Sequence, residues 1–195
     1  GGTGNTTISS VIGSGAGGLT MTGTGTLTLN GSAVNTFTGG LNLNGGTLLP
    51  DFANLATPTD LINNGNALGL GGGILSIKGN SSGTTSQTLG DVTVNAGGGR
   101  ILGDKNGGTA LNIILGSLTT SAAGGSLLVG AGGTAANSPV ITTTTDKDAT
   151  TGIYGGRVVF FSGTAGTGYD WATTATASPG PFTLSAYSGY AALDL

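Results

Sequence analysis

Apolar and small polar residues alternate in short runs along most of the chain, and each run ends near a glycine. Because successive side chains of a strand point to opposite faces, a period of two predicts a β-strand with one buried face. Glycine then supplies turns whose backbone angles other residues resist. The clearest alternating or densely apolar runs are residues 19–22, 27–30, 41–44, 75–78, 92–95, 111–113, 127–129 and 158–161.

The repeating unit is an apolar residue, a small polar residue, a second apolar residue and a nearby glycine. Short strands with frequent turns fit a sandwich, a barrel or a coiled solenoid. Three features favour the solenoid: glycine pairs where the chain bends and continues, Thr and Asn at equivalent positions as in stacked ladders, and the lack of a helical pattern. We therefore predict an all-β solenoid with coils of roughly 20 to 25 residues. The glycine pairs are residues 39–40, 45–46, 107–108 and 124–125.

Residues 51–73 depart from this pattern, because prolines and an Asn-Asn-Gly sequence at 63–65 interrupt the alternation. We predict a loop excursion here, with one helical turn over residues 59–63. Its apolar residues are expected to cover one flank of the coil stack. They are Phe52, Leu55, Leu61 and Ile62.

The last part of the chain is rich in aromatic residues, since eight of the ten lie between Tyr154 and Tyr190. They are spread over several predicted strands, which indicates a thicker core or an end-cap. The chain is thus predicted to be one solenoid segment, residues 1–195, of a longer protein. Within it we distinguish a strand repeat (1–50), the loop excursion (51–73), solenoid coils (74–140) and aromatic-rich coils (141–195).

Composition excludes several functions. The chain has 42 glycines, only 7% charged residues and a net charge of −3, so no basic cluster is available for nucleic acid or for an anionic membrane surface. No apolar run reaches the length of a membrane span. The absence of His and Cys removes the usual general base, nucleophile pairs and most metal sites, so we expect no cofactor and no enzyme activity.

Residues 18–31, followed by Asn-Thr-Phe-Thr-Gly-Gly at 35–40 and Asn-Gly-Gly-Thr-Leu at 44–48, closely resemble the autotransporter-associated β-strand repeat. Residues 4–9 and 66–69 resemble its usual flanks, and residues 86–90, 141–144 and 169–172 are similar to blocks of large passenger-like proteins. The resemblance implies a right-handed parallel β-helix in an exported bacterial surface protein. The strand-like sequence at residues 192–195 also suggests a segment cut from a longer chain.

Two groups of charged residues are candidate sites. Asp146-x-Asp148-x-Thr150 begins like a calcium loop, but Thr151 and Arg157 stand where such a loop has Gly and Glu. Arg100, Asp104 and Lys105 form the densest charged group, which a polysaccharide-cleaving solenoid could use, yet no second carboxylate accompanies it and a solvated turn is the simpler interpretation.

Tyr169 and Trp171 offer the best binding hypothesis in the chain. They are two residues apart, so on a strand both point the same way, and an exposed pair can stack on sugar rings. The alternative is a pair buried in the core.

We expect a structural solenoid at the bacterial cell surface or outside the cell, which forms a stiff rod, stalk or filament by coil stacking. Its partners are then neighbouring copies or flanking repeats, joined end to end. The second hypothesis is an adhesin module that binds glycans through Tyr169 and Trp171, and the third is the solenoid enzyme with Asp104 and Arg100 or Lys105.

Overall fold

The computed structural model describes residues 2–120, 124–164 and 168–190, and within them the chain is a β-solenoid of about five turns. The predicted all-β solenoid is confirmed. Residues 192–195, for which a strand was predicted, lie outside the described residues. Each full coil contributes one strand to a five-stranded sheet and the next strand to a nine-stranded sheet.

All eight alternating runs form strands, and the glycine pairs lie between strands, as predicted. Further strands occur where the alternation is weak or polar. In chain order the strands are β1 (Thr6–Ile8), β2 (Leu19–Met21), β3 (Thr26–Leu29), β4 (Leu41–Leu43), β5 (Thr47–Pro50), β6 (Leu68–Leu70), β7 (Ile74–Lys78), β8 (Thr84–Thr88), β9 (Val92–Val94), β10 (Gly99–Asp104), β11 (Ala110–Ile114), β12 (Leu118–Thr120), β13 (Leu127–Ala131), β14 (Val140–Thr143), β15 (Val158–Phe161), β16 (Tyr169–Thr173), β17 (Phe182–Thr183) and β18 (Ser185–Ala186).

Three sheets run along the coil stack. The nine-stranded sheet has the order β1-β3-β5-β7-β10-β13-β15-β16-β18, the five-stranded sheet β12-β9-β6-β4-β2 and the four-stranded sheet β17-β14-β11-β8. Pairing is parallel throughout the five-stranded sheet and from β1 to β15. A parallel neighbour one coil away is what a solenoid requires, because each coil hydrogen-bonds only to the coils beside it.

The coils are longer than predicted in the second half of the stack. Side-chain hydrogen bonds between neighbouring coils join residues 21 apart near the N-terminal end and up to 29 apart farther on. The predicted coil length of 20 to 25 residues therefore holds only for the early coils. Three of the later coils add a third strand (β8, β11 or β14) that the early coils lack. The coil in which Asn66 bonds to Phe37 has no such strand and is lengthened by the irregular stretch before β6.

Aliphatic columns form the core. In the nine-stranded sheet Leu48, Leu75, Ile101 and Val129 stand in register on successive strands, and all four are fully buried. Each such side chain contributes about 1.5–3 kcal/mol of burial free energy. A second column in the five-stranded sheet runs through Leu41, Leu68, Val92 and Leu118.

Residues 51–73 are poor in strand, as predicted, but they belong to the coil stack. Phe52, Leu61 and Ile62 are fully buried in the core, so the expectation that they cover a flank is wrong. The predicted helical turn at 59–63 is also wrong, because the turn lies at Phe52–Asn54, where the Asp51 side chain accepts a hydrogen bond from the Ala53 amide.

Buried amide side chains replace strand pairing where these coils lack strands. Gln87 Oε1 accepts from the Ile62 N–H (3.0 Å), while its Nε2 donates to the Ile62 carbonyl (2.8 Å). Asn35 likewise accepts from the Ile12 N–H and donates to the Leu61 carbonyl. Each amide thus satisfies backbone groups that would otherwise be buried without partners.

The parallel stack closes at β15. Strand β16 pairs antiparallel with β15, β18 with β16, and β17 with β14. Gly130 sits at the last parallel step with φ of 138°, and a Cβ there would lie 2.0 Å from the Phe161 carbonyl oxygen, so the close approach of β13 and β15 requires glycine. The expected end-cap is present: β14 and β15 still pair parallel with the preceding coil, but β16, β17 and β18 (residues 169–186) do not continue as further parallel coils.

Candidate functional site

The calcium-loop candidate folds into a local turn. Asp148 Oδ1 accepts from the Thr151 N–H (2.7 Å), the Thr150 N–H (3.0 Å) and the Thr151 hydroxyl (2.9 Å). The Thr151 hydrogen bonds lower the pKa of Asp148. Within the described ranges no cluster of three or more metal-ligating side chains occurs, and the carboxylate's bonds are those of a turn.

The charged group at residues 100–105 is not gathered into a site. Arg100 and Asp104 are four residues apart on β10, which separates them by about 13 Å along the strand. Asp104 lies in register with Lys78 on the preceding coil, and one carboxylate oxygen accepts from the Asn106 N–H. The geometry brings no second carboxylate to Asp104 in register on the neighbouring strand, which the polysaccharide-cleaving mechanism would need.

Tyr169 and Trp171 are exposed on β16, with exposed fractions of 57% and 40%. They share the exposed face of the strand, because exposure alternates along β16 and Ala172, on the other face, is fully buried. Across the antiparallel pair Tyr169 lies opposite Phe161 and Trp171 opposite Val159. The Phe161 and Tyr169 rings are stacked, with centroids 4.4 Å apart and planes inclined by 20°. The predicted common orientation is confirmed, and the alternative of a buried pair is wrong.

Asp170 and Tyr190 complete a shallow recess beside these aromatics. Its volume is about 240 Å³, and Val159, Tyr169, Asp170, Trp171 and Tyr190 line it. Asp170 Oδ1 accepts from the Trp171 N–H (2.8 Å) and from the Tyr190 hydroxyl. That hydroxyl bond raises the pKa of Tyr190. We call these five residues the aromatic recess.

Sequence reasoning found two residues of the aromatic recess and missed three. Asp170 stands between the predicted pair, but strand alternation assigns it to the opposite face. Tyr190 is 20 residues from Asp170 in the sequence. Val159 lies beside Trp171 only because β15 and β16 pair antiparallel. The cluster of aromatics after residue 154 was the available signal, although it did not reveal which of them share a face.

A second candidate surface is the open edge of the first coil. Strand β1 pairs only with β3, and β2 only with β4, within the described residues. The large apolar residues of this coil are partly buried, except Val11, which is exposed. An unpaired parallel edge of this kind is a template for another strand. The partly buried residues are Ile8, Ile12, Leu19 and Met21.

Comparisons of the chain with protein families, with curated proteins and with solved structures find no match. In the described part of the chain no helix is long and apolar enough to span a membrane.

Proposed function

We propose that this chain is a structural rod segment of an exported bacterial surface protein, whose coil stack is extended across the open edge of β1 and β2. That parallel edge is the observation on which the proposal rests. The stacked aliphatic columns and the resemblance of residues 18–48 to the autotransporter-associated repeat support it. The absence of enzyme activity, the right-handed coil and the location at the cell surface are parts of the same proposal.

The backbone of the open edge is oriented to receive another coil. The Leu19 N–H donates to the Gly40 carbonyl and the Met21 carbonyl accepts from the Asn44 N–H, so both residues face β4. In a parallel ladder alternate residues bond to opposite sides. The N–H and carbonyl of Thr20 therefore point away from the stack, as do those of Thr7, since the Ile8 carbonyl accepts from Asn30.

At the opposite end of the coil stack, after β15, the strands favour closure of the stack over its extension by a further coil. The antiparallel strands β16, β17 and β18 occupy the edges that a further parallel coil would use in two of the three sheets. Lys147 Nζ also donates to the Thr174 carbonyl (2.6 Å), which ties the segment after β14 to the end of β16. We therefore propose that this segment closes a rod at one end and joins neighbouring coils at the other.

The test blocks the open edge without disturbing the fold. Proline at Thr7 and Thr20 removes two N–H groups that point outward, which an edge strand tolerates. Without a flanking coil, the wild-type chain is expected to dimerise through this edge at high micromolar concentration. Sedimentation velocity should show the dimer for the wild type and a monomer for Thr7→Pro/Thr20→Pro.

The matched control is Thr7→Val/Thr20→Val, which keeps both N–H groups and should still dimerise. Circular dichroism and thermal unfolding of all three proteins check that the fold is retained. A wild-type chain that stays monomeric, or a proline variant that still dimerises, contradicts extension across this edge. Oligomers larger than dimers would contradict closure of the other end.

The cellular part of the proposal needs the full-length protein. Electron microscopy of that protein is expected to show rods, and a protease added to intact cells is expected to degrade it. Compact globules, or a protein that is protected until the cells are lysed, would contradict the rod or the surface location respectively.

A further inference from the structure

We infer that the aromatic recess binds a neutral sugar residue, by stacking of its rings on the apolar face of the sugar and by acceptance of a sugar hydroxyl at Asp170. This function is independent of the rod proposal. It narrows the glycan hypothesis for Tyr169 and Trp171 to neutral sugars, and it adds Asp170, Tyr190 and Val159 to their site.

The aromatic rings provide the apolar half of the site. Tyr169 and Trp171 are neighbours on one strand face, and Phe161 on the paired strand β15 stacks on the Tyr169 ring with centroids 4.4 Å apart. A side chain held in this way loses little further conformational entropy when a ligand binds. A sugar ring presents several C–H groups on one face, and these pack on the face of an aromatic ring.

Asp170 provides the polar half. Its Oδ1 is engaged by the Trp171 N–H and the Tyr190 hydroxyl, which fix the carboxylate at the rim of the recess. Its Oδ2 has no hydrogen-bond partner among the described residues. A carboxylate oxygen is a strong acceptor for a hydroxyl donor, and sugars carry many such donors.

Charge and size select among possible ligands. Among the described residues, the lining of the recess contains a carboxylate and no lysine or arginine, so uronic acids, sialic acids and nucleotides meet like charge. The volume of about 240 Å³ is below the roughly 300–1,000 Å³ of typical small-molecule sites. A recess of this volume fits about one sugar residue.

Trp171 makes the test direct, because it is the only tryptophan in the sequence. Its fluorescence is to be followed while the whole chain is titrated with four neutral oligosaccharides: cellohexaose, maltohexaose, mannohexaose and chitohexaose. The titrations extend to about 10 mM, where a Kd of ~1 mM is nearly saturated. At least one of the four is expected to shift the emission in a saturable manner.

Variants that retain Trp171 separate the two halves of the site. Tyr169→Ala is expected to weaken binding about tenfold or more, while Tyr169→Phe keeps the ring and should bind like the wild type. Asp170→Asn is expected to weaken binding, whereas the control Asp146→Asn removes a carboxylate elsewhere and should leave it unchanged. Circular dichroism confirms that each variant is folded.

Three outcomes would overturn the inference. The first is the absence of a saturable signal with all four neutral oligosaccharides. The second is binding that Tyr169→Ala and Asp170→Asn leave unchanged. The third is preferential binding of oligogalacturonate, which is a chain of acidic sugars, because the recess is then not selective for neutral ligands. None of these results bears on the open-edge dimer that tests the rod proposal.

Discussion

At the scale of single residues, buried side-chain amides make hydrogen bonds to backbone groups that strand pairing would otherwise satisfy. Gln87 is fully buried, and its amide bonds both the N–H and the carbonyl of Ile62 in the neighbouring coil. A side chain that pairs with both groups of one residue imitates a β-bridge. The coil can therefore turn irregularly at residues 55–66 and still keep its interior hydrogen bonds satisfied.

We predict that Gln87→Leu destabilises the chain by about 2–5 kcal/mol, because it leaves two buried backbone groups without partners. Denaturant unfolding followed by circular dichroism measures the loss. Ser86→Ala, on the outward face of the same strand, is the control and should change the free energy of unfolding by less than about 0.5 kcal/mol. Equal stability of the two variants would show that the bridge contributes little.

The same residue explains why strand β8 was not predicted. Its sequence, Thr-Thr-Ser-Gln-Thr, contains no apolar residue, although Thr85 and Gln87 are fully buried. A search for apolar periodicity cannot find such a strand, because its inward residues are polar. Their polar groups are satisfied by the Asn80 N–H at Thr85 and by Ile62 of the neighbouring coil at Gln87. The eight runs whose inward residues are mostly aliphatic were all found, since period two depends only on local sequence.

At the scale of elements, Tyr154 joins the coils to the antiparallel cap, which consists of β16, β17 and β18. This side chain is buried, its hydroxyl donates to the Thr145 carbonyl (3.1 Å), and its N–H donates to the Ala172 carbonyl on β16 (3.0 Å). Burial, with a further contribution from the charge of Asp146, raises the pKa of Tyr154 to about 12. The cap therefore holds this phenol in its neutral form.

We predict that Tyr154 makes the chain sensitive to alkali. The ordinary tyrosine pKa is about 10 and the folded-state value is higher, so the stabilising contribution is complete below pH 10 and is lost as pH rises towards 12. The free energy of unfolding of the wild type should thus fall more steeply over this interval than that of Tyr154→Phe. Between pH 7 and 9 the two curves should run parallel. Parallel curves up to pH 12 would mean that the phenol ionises freely in the folded chain.

The direction of the last strands could not be predicted from the sequence. The run at Val158–Phe161 indicates a strand equally well in a parallel or an antiparallel pair. The reversal at β16 depends on which edge is free after β13 and β15 have paired, and that edge is created by residues far away in the chain. For this reason the common orientation of Tyr169 and Trp171 was predictable, while the recess they share with Tyr190 was not.

At the scale of the whole molecule, each coil is stabilised mainly by its two neighbours. The first coil has one neighbour, and its large apolar residues are partly buried or, at Val11, exposed. The columns through Leu68, Val92 and Ile101 instead lie between neighbours on both sides. The last coil is covered by the antiparallel cap. Local stability should therefore be lowest at the open edge and highest in the middle of the stack.

Hydrogen exchange followed by mass spectrometry tests this gradient. Peptides that cover β1 and β2 are expected to exchange at least tenfold faster than those covering β6, β9 and β10, a difference of about 1.4 kcal/mol or more. The exchange rates of the unfolded chain in denaturant serve as the reference for each peptide. If a second copy covers the open edge, protection of β1 and β2 should rise with protein concentration, and Thr7→Pro/Thr20→Pro should abolish that rise. Uniform protection from β1 to β15 would instead mean that the stack opens only as a single unit.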